Sequence, residues 1–290
     1  VGTIGGIYDG MGDFRVPYDR MKKELGAEVA VFDTVAAKKA FFEITEEEVD
    51  GICKENQEMF RLVSGSEELL RADARFAAVV RHWIEKEGLT AFTQNFLMAF
   101  RDTGFPYAPF IEACKAMGRG IGYAGEGDVL TAALVGALMS VYKDTAFVEM
   151  FCPDWEGNTI YLSHLGELNP NLTVSPARIC LKALPYPNVN EYVGLAGTYR
   201  AGKGVYASLA PTGDGQYTLV LSETEMVEHP DYADDQCFVA GWIRPQCSVA
   251  EFLERFSRAG GTHHGAFAYG ADIRALESFG KIMGFDVVVI

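Results

Sequence analysis

Four short segments, far apart in the chain, carry residue types that could form one divalent metal site. They are Gly125-Glu126-Gly127-Asp128, Val148-Glu149-Met150-Phe151, Leu162-Ser163-His164 and Thr262-His263-His264. Glu126 and Glu149 offer carboxylate oxygens. His164 and His264, or His263 in its place, offer imidazole nitrogens. The chain holds 5 histidines, and His164, His263 and His264 all fall in this set. Such oxygen and nitrogen ligands suit manganese, cobalt or iron, and a set of this kind belongs to a metal-dependent enzyme.

Singly, each residue has an ordinary reading. A glutamate in a glycine-rich loop is usually a solvated turn residue, and a strand histidine is usually hydrogen-bonded surface. Spacing strengthens one pair. Trp155-Glu156-Gly157-Asn158 reads as a hairpin turn between two strand-like runs, so position i should pair with 313 − i. Glu149 is then expected directly opposite His164. Glu126 lies where an apolar segment meets a helix, a place where open α/β sheets collect ligand-binding groups. Asp128 suits the N-cap of the helix expected through Tyr142. Gly120-Ile121-Gly122-Tyr123-Ala124-Gly125 matches a dinucleotide fingerprint by letter only. The segment before it, Ala108–Met117, reads as a helix, whereas that fingerprint needs a strand.

The positioning elements change character near residue 146. The first half alternates strands (Val1–Tyr8, Glu28–Phe32, Leu89–Phe96) with helices (Val16–Leu25, one after the Thr45-Glu46-Glu47-Glu48 capping box to about Val63, and one capped by Ser66 to about Lys86). That alternation predicts a mostly parallel sheet covered by helices. The second half shows short alternating runs at Phe147–Phe151, Thr159–His164, Ala177–Leu184, Gly204–Ala210, Tyr217–Ser222 and Cys237–Ile243, as in an antiparallel sheet or barrel. Helices starting at Ser248 and Asp272 and a last strand, Phe285–Ile290, close the chain. The expected fold is thus α/β: a central α/β domain over 1–146 and a β-rich, barrel-like domain over 147–290. Residues 225–236 read as an acidic solvated loop.

Composition sets the outer bounds. With 49% hydrophobic and 22% charged residues the chain is globular. A net charge of −15 argues against nucleic acid and anionic membrane as partners. No apolar run reaches the roughly 18–20 residues of a membrane span. The 6 cysteines lack C-x-x-C spacing and read as reduced and cytoplasmic. The chain begins with valine, which suggests a fragment or a processed product.

At these same residues the sequence resembles the L-arabinose isomerase family. The matching pieces are Tyr8-Asp9-Gly10-Met11-Gly12-Asp13, Phe92-Thr93-Gln94-Asn95-Phe96, Gly122 to Asp128 with Thr131-Ala132-Ala133-Leu134, Phe147-Val148-Glu149, Ser163-His164, and Gly260 to His264. The resemblance implies a divalent metal, manganese above all, on Glu126, Glu149, His164 and His264. It selects His264 over His263. It also implies Glu126 and Glu149 as catalytic groups, sugar contacts at Met11, Gln94, Phe96 and His263, and a homo-oligomer. The implied activity is aldose–ketose isomerisation of an open-chain sugar by enediol proton transfer. A further α/β domain precedes the matching region in that family and is expected to be missing here, which leaves open whether this chain acts alone. Val129-Leu130 and Met150-Phe151-Cys152-Pro153 depart from the family pattern, so the sugar need not be L-arabinose. An epimerase, a metal-assisted hydrolase, and a sugar-binding or scaffold module without catalysis are the competing readings.

Overall fold

Short apolar runs separated by capped helices give the N-terminal half its parallel sheet. The computed structural model describes residues 1–97, 108–183, 191–213, 215–229 and 237–290. Its strands in chain order are β1 (Gly2–Ile4), β2 (Ala30–Val31), β3 (Arg61–Leu62), β4 (Ala91–Gln94), β5 (Gly122–Ala124), β6 (Thr145–Asp154), β7 (Thr159–Ser163), β8 (Arg178–Lys182), β9 (Tyr192–Thr198), β10 (Gly202–Pro211), β11 (Tyr217–Met226), β12 (Val239–Pro245), β13 (His264–Tyr269) and β14 (Asp286–Val289). The order β2-β1-β4-β5 forms the parallel sheet. Helices cover it, and their starts follow capping chemistry. Thr45 Oγ1 accepts from the Glu48 N–H at 3.2 Å, and Ser66 Oγ from the Leu69 N–H at 3.2 Å.

The second half is an antiparallel barrel. Strands run β11-β10-β13-β6-β7-β12, and β12 pairs back with β11 to close the cylinder. Strands β9, β8 and β3 extend the sheet from β12, and β14 extends it from β11. Helix Val129–Met139 lies between the two sheets. It packs on β4 and β5 on one side and on β6, β10 and β13 on the other. Eight of its 11 residues are buried, so one apolar core runs from Ile4 and Phe92 through Leu134 and Val135 to Val205 and Leu219. This helix holds the end of β5 against the barrel wall.

Several expectations are corrected. The helix expected to reach Val63 ends at Met59, and Arg61–Leu62 becomes a strand parallel to β8. The first half thereby donates a strand to the sheet of the second. Helix Thr34–Glu43, capped by Asp33, and strand β9 were not anticipated. The dinucleotide fingerprint, by contrast, is set aside as expected: helix Phe110–Gly118 lies ahead of it, and β5 holds only Gly122 of its three glycines. The cysteines are not all reduced: Cys180 and Cys237 form a disulfide with 5.9 Å between their Cα atoms, while Cys53, Cys114, Cys152 and Cys247 are free. Within the acidic stretch, Glu225 and Met226 belong to β11, and residues 230–236 lie outside the described residues. Among the described residues no helix is long and apolar enough to cross a membrane.

Candidate metal centre

The hairpin register differs from the expected one by a single residue, and the reason is local. Near the turn the pairing is as expected, with Cys152 opposite Tyr161 and Asp154 opposite Thr159. A β-bulge between Met150 and Cys152 absorbs one residue of β6. Beyond it Glu149 faces Ser163, not His164. On its other side Glu149 lies directly opposite His264 of β13. His164 follows the end of β7 and still places Nε2 3.7 Å from Glu149 Oε2.

Glu126 reaches the same spot from the parallel sheet. It sits just past the carboxyl end of β5 with φ 62°, in the left-handed region that a non-glycine residue rarely adopts. Such a conformation costs about 1–3 kcal/mol and persists where neighbours over-determine it. Here the Glu126 carbonyl accepts from the Tyr8 N–H at 2.9 Å, and the Gln94 carbonyl accepts from the Gly127 N–H at 3.0 Å. Gly127 has φ 79°, and a Cβ there would stand 2.1 Å from the Gly6 carbonyl oxygen. A Cβ on Gly125 would stand 2.5 Å from His164 Cε1. The loop is therefore pressed between the N-terminal segment and the histidine it faces.

The three imidazoles share one arrangement. Each has Nδ1 against a carboxylate: His164 with Glu167 at 2.7 Å, His263 with Asp13 at 2.6 Å, and His264 with Asp128 at 3.0 Å. Each sends Nε2 toward the glutamates. His264 Nε2 is 3.8 Å from Glu126 Oε2. His263 Nε2 is 3.9 Å from Glu126 Oε2 and 3.9 Å from Glu149 Oε1. Phe14 stacks on the His264 ring at 5.0 Å, and the Phe147 ring lies edge-on to His164 and His264 at 4.9 and 5.1 Å. The four atoms Glu126 Oε2, His164 Nε2, His263 Nε2 and His264 Nε2 are buried without a hydrogen-bond partner. Buried polar atoms are normally paired, so four converging without partners have the disposition of ligand atoms.

Two ligand groups emerge, Glu126 with His263 and His264, and Glu149 with His164 and His264. In each, the ligand atoms lie within 4.8 Å of one another. The four expected ligands are divided between these two groups, which share His264, and His263 belongs to the group of Glu126. The charges respond. Burial disfavours a charged His164, but Glu167, Glu149 and Glu126 outweigh it and raise its pKa to about 9. Burial is likewise overcome at His263, where the Asp13 hydrogen bond and the nearby carboxylates of Glu126 and Glu149 push the value up to about 10. Burial would raise the Glu126 pKa, but the nearby imidazoles of His263, His164 and His264 hold it below the usual value.

The remaining expected residues stand at the end of β4 and in the loop that follows Tyr8. Phe96 is buried, with its ring 5.4 Å from that of Tyr8. Gln94 is buried on β4 and holds Gly127 by its carbonyl. Met11 lies in the loop between Tyr8 and Asp13, with its N–H 3.4 Å from the Tyr8 carbonyl. Sequence reasoning missed Asp13 and Glu167 as partners of histidines, and gave Asp128 only its capping role. Asp128 does cap, accepting from the Thr131 N–H at 2.8 Å through Oδ1, and its other oxygen holds His264. The three-residue spacing from His164 to Glu167 was the one available signal.

Comparison with known families matches residues 19–144 to the L-arabinose isomerase central domain and residues 144–286 to the L-arabinose isomerase C-terminal domain. The L-arabinose isomerase of Geobacillus kaustophilus is 28% identical over 261 residues, covering 86% of this chain and 51% of its own length. That of Shouchella clausii is 27% identical over 277 residues, covering 92% of this chain and 55% of its own. That of Bacillus subtilis is 28% identical over 260 residues, with 85% and 51% covered. The chain spans about half the length of the curated relatives it matches. With the two domain matches running end to end over residues 19–286, the chain belongs to the L-arabinose isomerase family.

Proposed function

We propose that this chain carries the catalytic centre of a metal-dependent aldose–ketose isomerase acting on an open-chain sugar of the L-arabinose kind. The observation that supports this most is the convergence of four unpartnered, buried ligand atoms from Glu126, His164, His263 and His264 beside Glu149. Glu126, Glu149, His164 and His264 would hold a divalent ion; the oxygen and nitrogen donors suit manganese, cobalt or iron, and the family resemblance favours manganese. Bound there, the ion supplies positive charge that offsets the negative charge developing on the sugar oxygens.

The protein's own groups manage the protons. Both glutamates border one spot, 3.9 Å from His263 Nε2. One takes the C2 proton of the aldose and returns it at C1; the other moves the hydroxyl proton from O2 to O1. A positioned acid or base of this sort contributes about 10²–10⁴-fold in rate. Phe14 and Phe147 pack on the buried rings of His164 and His264. Met11, Gln94, Phe96 and His263 are the side chains we assign to the sugar. The compartment we assign is the cytoplasm, on the four free cysteines and against the single Cys180–Cys237 disulfide.

The test is incubation of the protein with Mn2+ and a panel of pentoses, hexoses and deoxysugars. Ketose should form from at least one aldose and be lost in Glu126→Gln and Glu149→Gln. Absence of turnover on every sugar, in protein shown to bind Mn2+, would overturn the isomerase reading.

A further inference from the structure

We propose that Glu167 and Tyr123 form a positioning relay that aims His164 at the metal; the proposal rests on the metal reading above. Glu167 lies on the irregular segment after β7, where no strand pairing fixes it. Its two oxygens have separate tasks. Oε2 faces His164 Nδ1 at 2.7 Å, and Oε1 accepts from the Tyr123 hydroxyl at 2.8 Å. Glu167 is 1% exposed and Tyr123 is fully buried. A carboxylate so deeply buried is costly unless both oxygens are satisfied, and these two partners satisfy them.

The relay links the elements that bring ligands together. Tyr123 is the middle residue of β5, three positions before Glu126. His164 and Glu167 belong to the barrel side. The chain Tyr123–Glu167–His164 therefore fixes the imidazole of one domain to the strand that delivers the carboxylate of the other. With Nδ1–H held by Glu167, the Nε2 lone pair is left for the ion, and the nearby negative charge raises the basicity of the ring. His264 receives the same support from Asp128, but that carboxylate is anchored by the Thr131 backbone N–H. The His164 arm alone depends on a side-chain hydroxyl, which makes it separable by mutation.

The test is Co2+ affinity by calorimetry together with the visible absorption of the bound ion, in wild type, Glu167→Ala, Glu167→Gln, Tyr123→Phe and the double variant. Losing a partner of a ligand histidine typically weakens metal binding about 10–100-fold, and Glu167→Ala should do so and alter the spectrum. Glu167→Gln should fall between, because its amide keeps an acceptor for Nδ1 and a donor for Tyr123. Tyr123→Phe should cause a smaller loss, and should add nothing once Glu167 is alanine. Far-ultraviolet dichroism of the metal-free proteins checks the fold; if the alanine variant fails to fold, Glu167→Gln and Tyr123→Phe still carry the test. Wild-type affinity in Glu167→Ala, or additive losses in the double variant, would overturn the relay while leaving the metal reading standing. Absence of Co2+ binding by the wild type would overturn both.

Discussion

Replacing Gly125 by alanine is the smallest change that should damage the metal centre. The added Cβ would lie 2.5 Å from His164 Cε1 and 2.8 Å from Nε2, the ligand atom itself. Ordinary carbon contacts are about 3.5–4.0 Å, so the ring must retreat by about 1 Å. It has little room to do so. Nδ1 is held by Glu167 at 2.7 Å, the Phe147 ring lies 4.9 Å away, and the His164 side chain is 2% exposed. Overpacking a filled interior costs about 1–3 kcal/mol. If that cost falls on the ligand's position, it corresponds to a roughly 5- to 150-fold loss of metal affinity, at 1.4 kcal/mol per tenfold. Calorimetric titration of Gly125→Ala with Mn2+ measures it directly. Gly51→Ala is the matching control, because a Cβ at Gly51 meets nothing within 4 Å. Wild-type Mn2+ affinity in folded Gly125→Ala would refute the argument that this loop is pressed against a fixed ligand.

Further outcomes follow from residues away from the centre. Gly51 lies inside helix Glu46–Met59 and is exposed, so Gly51→Ala should stabilise the protein by about 0.5–1 kcal/mol in urea unfolding. Asp73 is buried with both carboxylate oxygens unpartnered, and burial, with a smaller contribution from Glu112 and against the pull of Lys115, raises its pKa from 3.8 to about 8. The folded state then holds a proton that the unfolded chain releases above about pH 4, so this group's contribution to stability is full below that pH and is lost as pH rises toward 8. Asp73→Asn should flatten the fall in melting temperature between pH 5 and 8 and be the more stable protein at pH 8, by a few kcal/mol in order of magnitude; a variant with the wild-type slope would contradict this.

Much of the site was legible because its residue types are scarce and chemically specific. Glutamate and histidine beside glycine turns pointed to ligands, and the Glu156-Gly157 turn correctly paired β6 with β7. The register beyond Met150 was not legible, because a bulge consumes a residue without a distinctive letter. That one slip moved the residue opposite Glu149 from His164 to Ser163, while the unforeseen β6–β13 pairing supplied His264. The partners of the histidines were hidden by distance and irregularity: Asp13 and His263 are 250 positions apart, and Glu167 lies on no regular element. Strand β9 was missed because all seven of its residues are buried, which removes the alternation that marks a half-exposed strand. Strand β3, two residues long, is too short for any periodicity. The Cys180–Cys237 pair, 57 residues apart, has no spacing motif and required the fold to bring Cys237, just ahead of β12, against β8.

The central claim is that Glu126, Glu149, His164 and His264 bind one divalent ion, and a calorimetric titration with Mn2+ at neutral pH tests it most directly. The account predicts saturable binding of a single ion per chain, accompanied by proton release as His164 and His263 give up the protons they hold in the metal-free protein. It also predicts abolition in His264→Ala and in Glu126→Gln. Failure of the wild type to bind, or undiminished binding in those two variants, would contradict it.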